Sequence, residues 1–437
     1  MVDFGMFQGE KSLESNNHNL PPINVIQLDA VILTHAHLDH TGRLPLLIRS
    51  GFVGPIFATE ATIDIVGIIL RDAARVQAYE TMRVNRKRER IGEPPLQPDY
   101  NEDDVEKVVS LLTSIPYNVY TEIAPFCLAR VRESGHILGS VSIELTLEED
   151  GNKKIILFSG DLGPQDMAIL KDPDPFYIAD LVFMESTYGD HDHRSLLETL
   201  KEGQDIIKRA IKQKGKILVP SFAIGRSQQL MYYMARAVHR GNLPEIPVYL
   251  DSPMAIEATK IYSIHPELFD QEATELLKLG VIKGDLSRLK ISETAQDSMA
   301  LNDIEGPCMI MAGAGMCNAG RILHHLRHNL SRPETTVMIV GYQGYGSLGR
   351  RLLEGAKTVK IFGEEIAVNA HIALMGGLSA HAGQTDLLKW FDKVASSKPI
   401  LVLSHGEDRG RKPLAEIIEK RYGMKPVLPE YGDVITI

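Results

Sequence analysis

The stretch Val31–Pro45, VILTHAHLDHTGRLP, places three histidines and an aspartate in the six positions 35–40, directly behind a run that reads as a buried strand. His35 and His37 are two apart, so in an extended loop both side chains can converge on one ion. Asp39 and His40 are adjacent and can face a second. Neutral imidazole and carboxylate are suitable ligands for zinc-type ions. A helical HExxH site needs its histidines four apart, which does not describe this pair. The bland reading is a polar loop of unrelated, hydrogen-bonded histidines, but a strand running straight into so many ligand types argues against it.

Four ligands from one loop do not complete two metal sites. Three more candidates lie elsewhere: His136 in the small-residue turn SGHILGS, Asp161 after a strand in FSGDLG and His405 after another in LSHGED. Each alone is equally compatible with a structural role. Together with the loop they make seven, the number a dinuclear centre with one bridging carboxylate would use.

The rest of the chain sets bounds on this reading. Its 437 residues suit two or three domains, and 44% hydrophobic with 24% charged residues is ordinary for a globular protein. No apolar run approaches the ~18 residues of a membrane helix. The start, MVDFGMFQG, lacks a basic segment followed by an apolar core, so no membrane partner and a cytoplasmic location are expected. Cys127, Cys308 and Cys317 are too scattered for a disulfide framework or a CxxC knuckle, and read as small buried hydrophobes. The net charge of −10 argues weakly against a nucleic-acid partner. Bound divalent cations would reverse it locally, as would the basic run RVNRKRER (Arg83–Arg90), whose bland reading is a solvated helix face.

The first part alternates short apolar runs, turns and helical segments. KKIILFSGDLG and ADLVFMESTYGD are apolar strands that end on Asp161 and Glu185, where layered α/β proteins place reactive groups. From about 195 the texture changes to plain strand–loop–helix units such as GKILVPSFAIGRSQQL and GPCMIMAGAGMCNAGRIL, the pattern of a parallel sheet with helical crossovers. Candidate polar residues return in the last third, in LSAHAGQTD and LSHGED. The economical organisation is an inserted domain, with a site assembled from both flanks.

THAHLDH, SGHILGS, SGDLG, ESTYGD, LSAHAGQTD and LSHGE, in this order, resemble the motif set of metallo-β-lactamase-fold nucleases of the β-CASP family. The similarity is strongest to RNA-processing members related to the cleavage-and-polyadenylation endonuclease subunit and its bacterial and archaeal counterparts. The resemblance implies an α/β fold: a metallo-β-lactamase αββα sandwich with an inserted parallel-sheet α/β β-CASP domain. Residues 1–195 would form the first part of the sandwich, 196–355 the insertion and 356–437 the completing part. Family members carry two further strands ahead of their motif aspartate, which falls here at Asp3, so those strands are expected to be missing from the first sheet. Asp3 would support the histidine loop from behind.

The resemblance also implies two zinc ions, one on His35, His37 and His136, the other on Asp39, His40 and His405, with Asp161 bridging. Glu185 would hold and polarise His381 near the leaving-group side of a scissile phosphate, making Asp39, Glu185 and His381 the catalytic residues. His371, in the strand-like NAHIAL, reads as structural, and His324 and His325 as helix surface or cleft lining. The loop AGAGMCNAGR is not GxGxxG, so a dinucleotide site is not expected. Gly313, Gly315 and Arg321 there, and Ser221 with Arg226 in SFAIGRSQQ, are the candidates for lining an RNA cleft. DNA-processing members of the family tend to carry an apolar residue where this chain has His405. Single-stranded RNA and endonucleolytic cleavage are therefore expected. A 5′–3′ exonuclease like ribonuclease J, a non-catalytic scaffold subunit and a homodimer stay open.

Overall fold

The computed structural model describes residues 1–7, 14–21, 23–280, 289–341, 343–344 and 346–437. Contacts divide the chain into two units: Met1–Gln165, Asp172–Asp192 and His381–Ile437 form the first, Asp166–Lys171 and His193–Ala380 the second.

In the first unit the apolar runs flanking the histidine loop become a parallel sheet of β1 (Val31–Ile32), β2 (Ile56–Ala58) and β3 (Leu112–Ser114), with Val2 bridging Ile32. Short helices α1 (Leu38–Thr41) and α2 (Leu44–Arg49) join β1 to β2, and α3 (Glu60–Arg90) and α4 (Glu102–Leu111) join β2 to β3. Thr59 caps α3 by accepting from the Thr62 amide, and a capping box of Asn101 and Asp104 starts α4. Ile65, Val66, Ile69 and Leu70 form the buried stripe of α3, at the spacing of one helix face.

The second sheet starts as a meander of β4 (Thr121–Ala124), β5 (Cys127–Glu133), β6 (Val141–Glu149) and β7 (Asn152–Phe158), beside which β8 (Leu181–Glu185) lies parallel to β7. Ile32, Phe57 and Ile115 of the first sheet side share one buried cluster with Ala129, Val131, Val141 and Ile143 of the second, so the two sheets are packed face to face.

The second unit alternates α5 (Leu196–Lys212), β9 (Lys216–Pro220), α6 (Arg226–His239), β10 (Val248–Leu250), α7 (Pro253–Ile264), α8 (Gln271–Lys278), β11 (Leu289–Ile291), α9 (Ala295–Ala300), β12 (Cys308–Ala312), α10 (Arg321–Asn329), β13 (Thr336–Ile339) and α11 (Leu348–Leu353). A hairpin of β14 (Thr358–Ile361) and β15 (Glu364–Ala367) precedes β16 (His371–Leu374). The six-stranded sheet, ordered β11-β10-β12-β9-β13-β16, is parallel at every pairing. Its central strands β9 and β12 are buried throughout, as strands covered on both faces must be. Sequence placed the end of the insertion at 355. By contacts the unit extends to Ala380, because the short β16 pairs with β13 at the sheet edge.

The chain re-enters the first unit through α12 (Gln384–Asp392), β17 (Ile400–Ser404) and α13 (Asp408–Tyr422). β17 adds parallel to β8, and Leu387, Trp390, Phe391, Leu414 and Ile418 of the two helices bury Val182, Met184, Leu401 and Leu403. Departure and return are clamped together. The Gln384 amide donates to the His191 carbonyl at 3.1 Å, Gln384 Nε2 to the Gly189 carbonyl at 2.7 Å, and the Thr385 amide to Asp192 Oδ1 at 2.7 Å. Among the described residues no helix is long and apolar enough to cross a membrane.

A buried ionic network sits at the end of β10. Asp251 accepts from Ser298 Oγ at 2.6 Å and from Arg321 Nη1 at 2.8 Å, and lies 2.6 Å from His325 Nε2. Burial alone would raise its pKa, but the bonds from His325, Ser298 and Arg321 prevail and hold it below the usual carboxylate range. His325 is therefore fully buried, not on a helix surface, whereas its neighbour His324 is exposed. Asp251→Ala leaves a guanidinium and an imidazole without their acceptor and is expected to destabilise the unit by about 3–5 kcal/mol. Urea unfolding checks this, and a loss below about 1 kcal/mol, the level of an exposed pair, would contradict it.

Candidate metal centre

Because β5 and β7 are both antiparallel to β6, and β8 and β17 run parallel to β7, these four strands point the same way. Their C-terminal ends share one edge, where His136 follows β5, Asp161 follows β7, Glu185 ends β8 and His405 follows β17. The histidine loop follows β1. Gly160 turns the chain at φ +57°, and a Cβ there would lie 2.8 Å from the Val141 carbonyl and 2.9 Å from Thr34 Cβ. Only glycine lets the turn before Asp161 pack under the histidine loop. His405 also adopts a left-handed backbone, φ +46°, held because its carbonyl accepts from the Ser186 amide at 3.2 Å and Thr187 Oγ1 at 3.1 Å.

The seven candidate ligands meet at this edge in two groups, His35, His37, His136 and Asp161 in one and Asp39, His40 and His405 in the other, with Asp161 Oδ1 also close to His40 and His405. In the first, His37 Nδ1 lies 3.1 Å from both His35 Nε2 and His136 Nε2. Asp161 Oδ2 is 3.5 Å from His35 Nε2 and 3.4 Å from His136 Nε2. In the second, Asp161 Oδ1 is 3.3 Å from His40 Nε2 and 3.4 Å from His405 Nδ1, and His405 Nε2 is 3.4 Å from Asp39 Oδ2. Zinc with ligands at ~2.0–2.1 Å in tetrahedral array separates them by about 3.3–3.4 Å. The spacings among His35, His37, His136 and Asp161, 3.1–3.5 Å, match that edge length, whereas Asp161 and Asp39 face different nitrogens of His405, only one of which can serve the same ion. Buried His40 Nε2 and Asp161 Oδ1 have no hydrogen-bond partner. The donor set thus fits divalent cations by spacing, by chemistry and by its unspent lone pairs.

Supporting contacts fix the ring orientations. Asp3 accepts from the Thr34 amide and from Thr34 Oγ1, both at 2.7 Å, and its Oδ2 lies 2.7 Å from His40 Nδ1. That leaves His40 Nε2 to face Asp161, the usual arrangement of a carboxylate behind a metal-binding imidazole. Thr34 Oγ1 also lies 3.1 Å from His35 Nδ1 and 3.2 Å from His40 Nδ1. Its role was not read from sequence, where the only signal is a hydroxyl between strand and first histidine. Glu185 accepts from the Leu162 amide at 2.6 Å, and His381 Nδ1 stands 3.4 Å from its Oε1 and 3.3 Å from its Oε2. His381 Nδ1 is also 3.8 Å from Asp161 Oδ2, so a third grouping joins Asp161, His381 and His405.

Electrostatics separate the histidines. Burial, helped by neighbouring imidazoles, pushes His35 well down, and burial also lowers His37, so both are held neutral, the form that ligates. Burial would lower His40 and His405 too. The Asp161 and Asp3 carboxylates instead hold His40 well up, and Asp161 with Asp39 pushes His405 up to about 9. Burial is likewise opposed at Asp161, where His405, His40 and His35 hold the carboxyl well below its usual range, and at Asp39, where the bond from His405 lowers it. Glu185 and Asp161 raise His381 against burial. The carboxylates of Asp161, Asp39 and Asp3 thus draw positive charge onto this part of the centre, charge that a divalent cation would supply.

Exposure gives the centre a direction. The side chains of His35, His136 and Asp161 are at most 1% exposed, whereas Asp39, His381 and His405 are 28%, 23% and 30% exposed. The residues expected to line an RNA cleft belong to the second unit. Ser221 is buried with Oγ 2.8 Å from Ser227 Oγ, and buried Arg226 donates to Gln229 Oε1 at 2.8 Å. A Cβ on Gly315 would lie 2.6 Å from the Phe222 ring, while Gly313 has space around it. Arg321 is committed to Asp251 and to the Ser292 and Glu293 carbonyls, because that buried carboxylate draws it inward from the loop. His371 lies in β16 with Nε2 3.3 Å from Arg209.

Zinc titration with atomic-emission readout is expected to separate the two groups. Asp161→Ala should lose zinc from both, His405→Ala only from its own. Asp3→Ala should retain the site with about 10–100-fold weaker affinity. Unchanged zinc content in Asp161→Ala would contradict the shared-carboxylate arrangement.

Comparison with known proteins agrees with this architecture. Residues 1–203 match the model of the metallo-beta-lactamase superfamily, 227–352 the Beta-Casp domain and 365–429 the Zn-dependent metallo-hydrolase RNA specificity domain. A ribonuclease of Thermus thermophilus is 36% identical over 100% of this chain and 94% of its own length. The transcription termination factor FttA of Methanosarcina mazei is 30% identical over 92% of this chain, and the one of Methanocaldococcus jannaschii is 27% identical over 100%. The chain spans 61% and 68% of those two archaeal proteins. A superfamily match across the strands that carry the centre, an inserted Beta-Casp domain and full-length similarity make this chain a member of the β-CASP family of metallo-β-lactamase-fold metallo-hydrolases.

Proposed function

We propose that the chain is a zinc-dependent ribonuclease that cuts single-stranded RNA internally. One zinc would be held by His35, His37 and His136, a second by Asp39, His40 and His405, with Asp161 between them. The observation that carries the reading is the pairing of His381 with Glu185 at the open side of the ligand cluster, 3.8 Å from the shared carboxylate. A ligand cluster alone supports hydrolysis in general. An imidazole backed by a buried carboxylate and standing beside it supports cleavage with a poor leaving group that needs a proton. RNA is supported by the match to an RNA specificity domain and by the similarity to a ribonuclease.

When bound, the cations supply Lewis-acid charge to the phosphate oxygens and make nearby water more acidic. The chain's own residues do the rest. A phosphodiester approaches from the side where Asp39, His381 and His405 are exposed, since His35, His136 and Asp161 close the other. Asp39 accepts a hydrogen bond from the attacking water and orients it in line with the scissile bond. His381, held through Nδ1 by Glu185, gives the proton on its other nitrogen to the departing 3′ oxygen. Glu185 keeps that alignment because the Leu162 amide fixes its Oε1.

His381→Ala is expected to lower turnover by about 10²–10⁴ with zinc content unchanged. Zinc loss in that variant would make His381 a ligand and overturn its role. Zinc-loaded protein offered circular and linear single-stranded RNA should cut both. Cleavage of the linear form alone would point to an exonuclease, and cleavage of neither, with zinc bound, to a scaffold.

A further inference from the structure

The basic run Arg83–Arg90 takes no part in the metal centre, yet the structure gives it a distinctive setting. It forms the last turns of α3, all of whose buried residues lie between Ala61 and Ala74. Beyond that point one face of the helix is covered by the returning chain. Gln77 bonds Asp99 at 3.0 Å and the Tyr100 amide at 3.3 Å, Asn85 exchanges two bonds with Leu96, and Arg88 Nε donates to the Pro94 carbonyl at 2.8 Å. At ~100° per residue, Val76, Tyr79, Arg83, Arg86, Lys87 and Arg90 fall within an arc of about 100° on the opposite side. All six are exposed.

A solvated helix face normally mixes its charges, and α3 does so in its middle, where Arg71 pairs with Glu106 and Arg75 with Glu102. Farther out only Arg88, on the covered face, is paired, with Glu93 at 2.8 Å. Among the described residues Arg83, Lys87 and Arg90 have no ion pair, and Arg86 reaches only the sulfur of Met82. The run holds five cations against Glu89 alone, a charge of +4, while the rest of the chain carries −14 to give the net −10. Tyr79, 61% exposed, adds an aromatic face one turn before Arg83. Cations segregated with an exposed ring match a single strand's phosphates and bases.

The same helix begins against the loop that carries His136. Thr59 and Thr62 donate to the Gly139 carbonyl at 2.7 and 2.9 Å, three residues beyond His136. From Glu60 the axis rises about 35 Å to Arg83 and about 45 Å to Arg90. We infer that the outer stripe of α3 is an anchoring site for the phosphates of an RNA strand whose scissile bond lies at the metal centre, an inference that rests on the ribonuclease reading. At ~3.4 Å per nucleotide of stacked strand, reaching it takes about 10 nucleotides. Short RNA is cut without it, and longer RNA is held by it.

The test compares the zinc-loaded full chain with its Arg83→Gln/Arg86→Gln/Lys87→Gln/Arg90→Gln variant on fluorescein-labelled RNAs of about 8 and about 30 nucleotides. The variant should raise KM for the long RNA about tenfold or more, with kcat unchanged and the short RNA unaffected. Anisotropy should show the salt slope of long-RNA binding falling by up to about 3, at ~0.7 per lost contact. Unchanged KM and salt slope would make the stripe a solvated face and overturn the inference. So would a polyglutamate peptide that competes as well as unlabelled RNA, which would assign the stripe to an acidic protein. If the unsubstituted protein cuts neither RNA, the ribonuclease reading fails by itself, and anisotropy still decides whether the stripe binds RNA.

Discussion

Everything at the reactive edge is arranged around the carboxylate of Asp161. It is 1% exposed and lies 3.3–3.8 Å from the imidazoles of His35, His40, His136, His381 and His405. A buried carboxylate is costly without compensating positive charge, and here the compensation is shared among rings that cannot all be protonated side by side. The arrangement is a poor hydrogen-bonding network and a good coordination shell. That contrast is the physical reason to read the cluster as a metal site.

The fold supplies the cluster by direction. A meander brings β5 and β7 into the same sense, parallel addition of β8 and β17 continues it, and the ends of these four strands then bring a candidate ligand or its partner to one edge. His381 reaches Glu185, 196 residues away, because the start and end of the inserted unit are tied to each other by Gln384 and Thr385. The second unit can thus hold a complete parallel sheet of its own without pulling the centre apart.

Much of this was legible in the chain, for local reasons. His35, His37, Asp39 and His40 are dense in one loop, His136 sits in a small-residue turn, and Asp161, Glu185 and His405 each stand where an apolar strand stops, so ligand types and strand ends coincide. Their division into two groups followed from family resemblance. What was not legible depended on distant partners. Thr34 gains meaning only when the first sheet forms and brings it to Asp3, whose supporting place the resemblance had implied. Arg321 followed a glycine-rich loop and looked available for phosphate, until Asp251, 70 residues earlier, takes it. That β16 joins the sheet of the second unit was not legible, because it is only four residues long and is defined by its pairing with β13.

The central claim is that Asp161 lies between two cations. Anomalous diffraction at the zinc edge on crystals of the zinc-loaded protein measures it directly. Two peaks about 3.5–4 Å apart are predicted, one among His35, His37 and His136 and one among Asp39, His40 and His405, each next to a different Asp161 oxygen. A single peak, or a peak on His381 in place of His405, would contradict it.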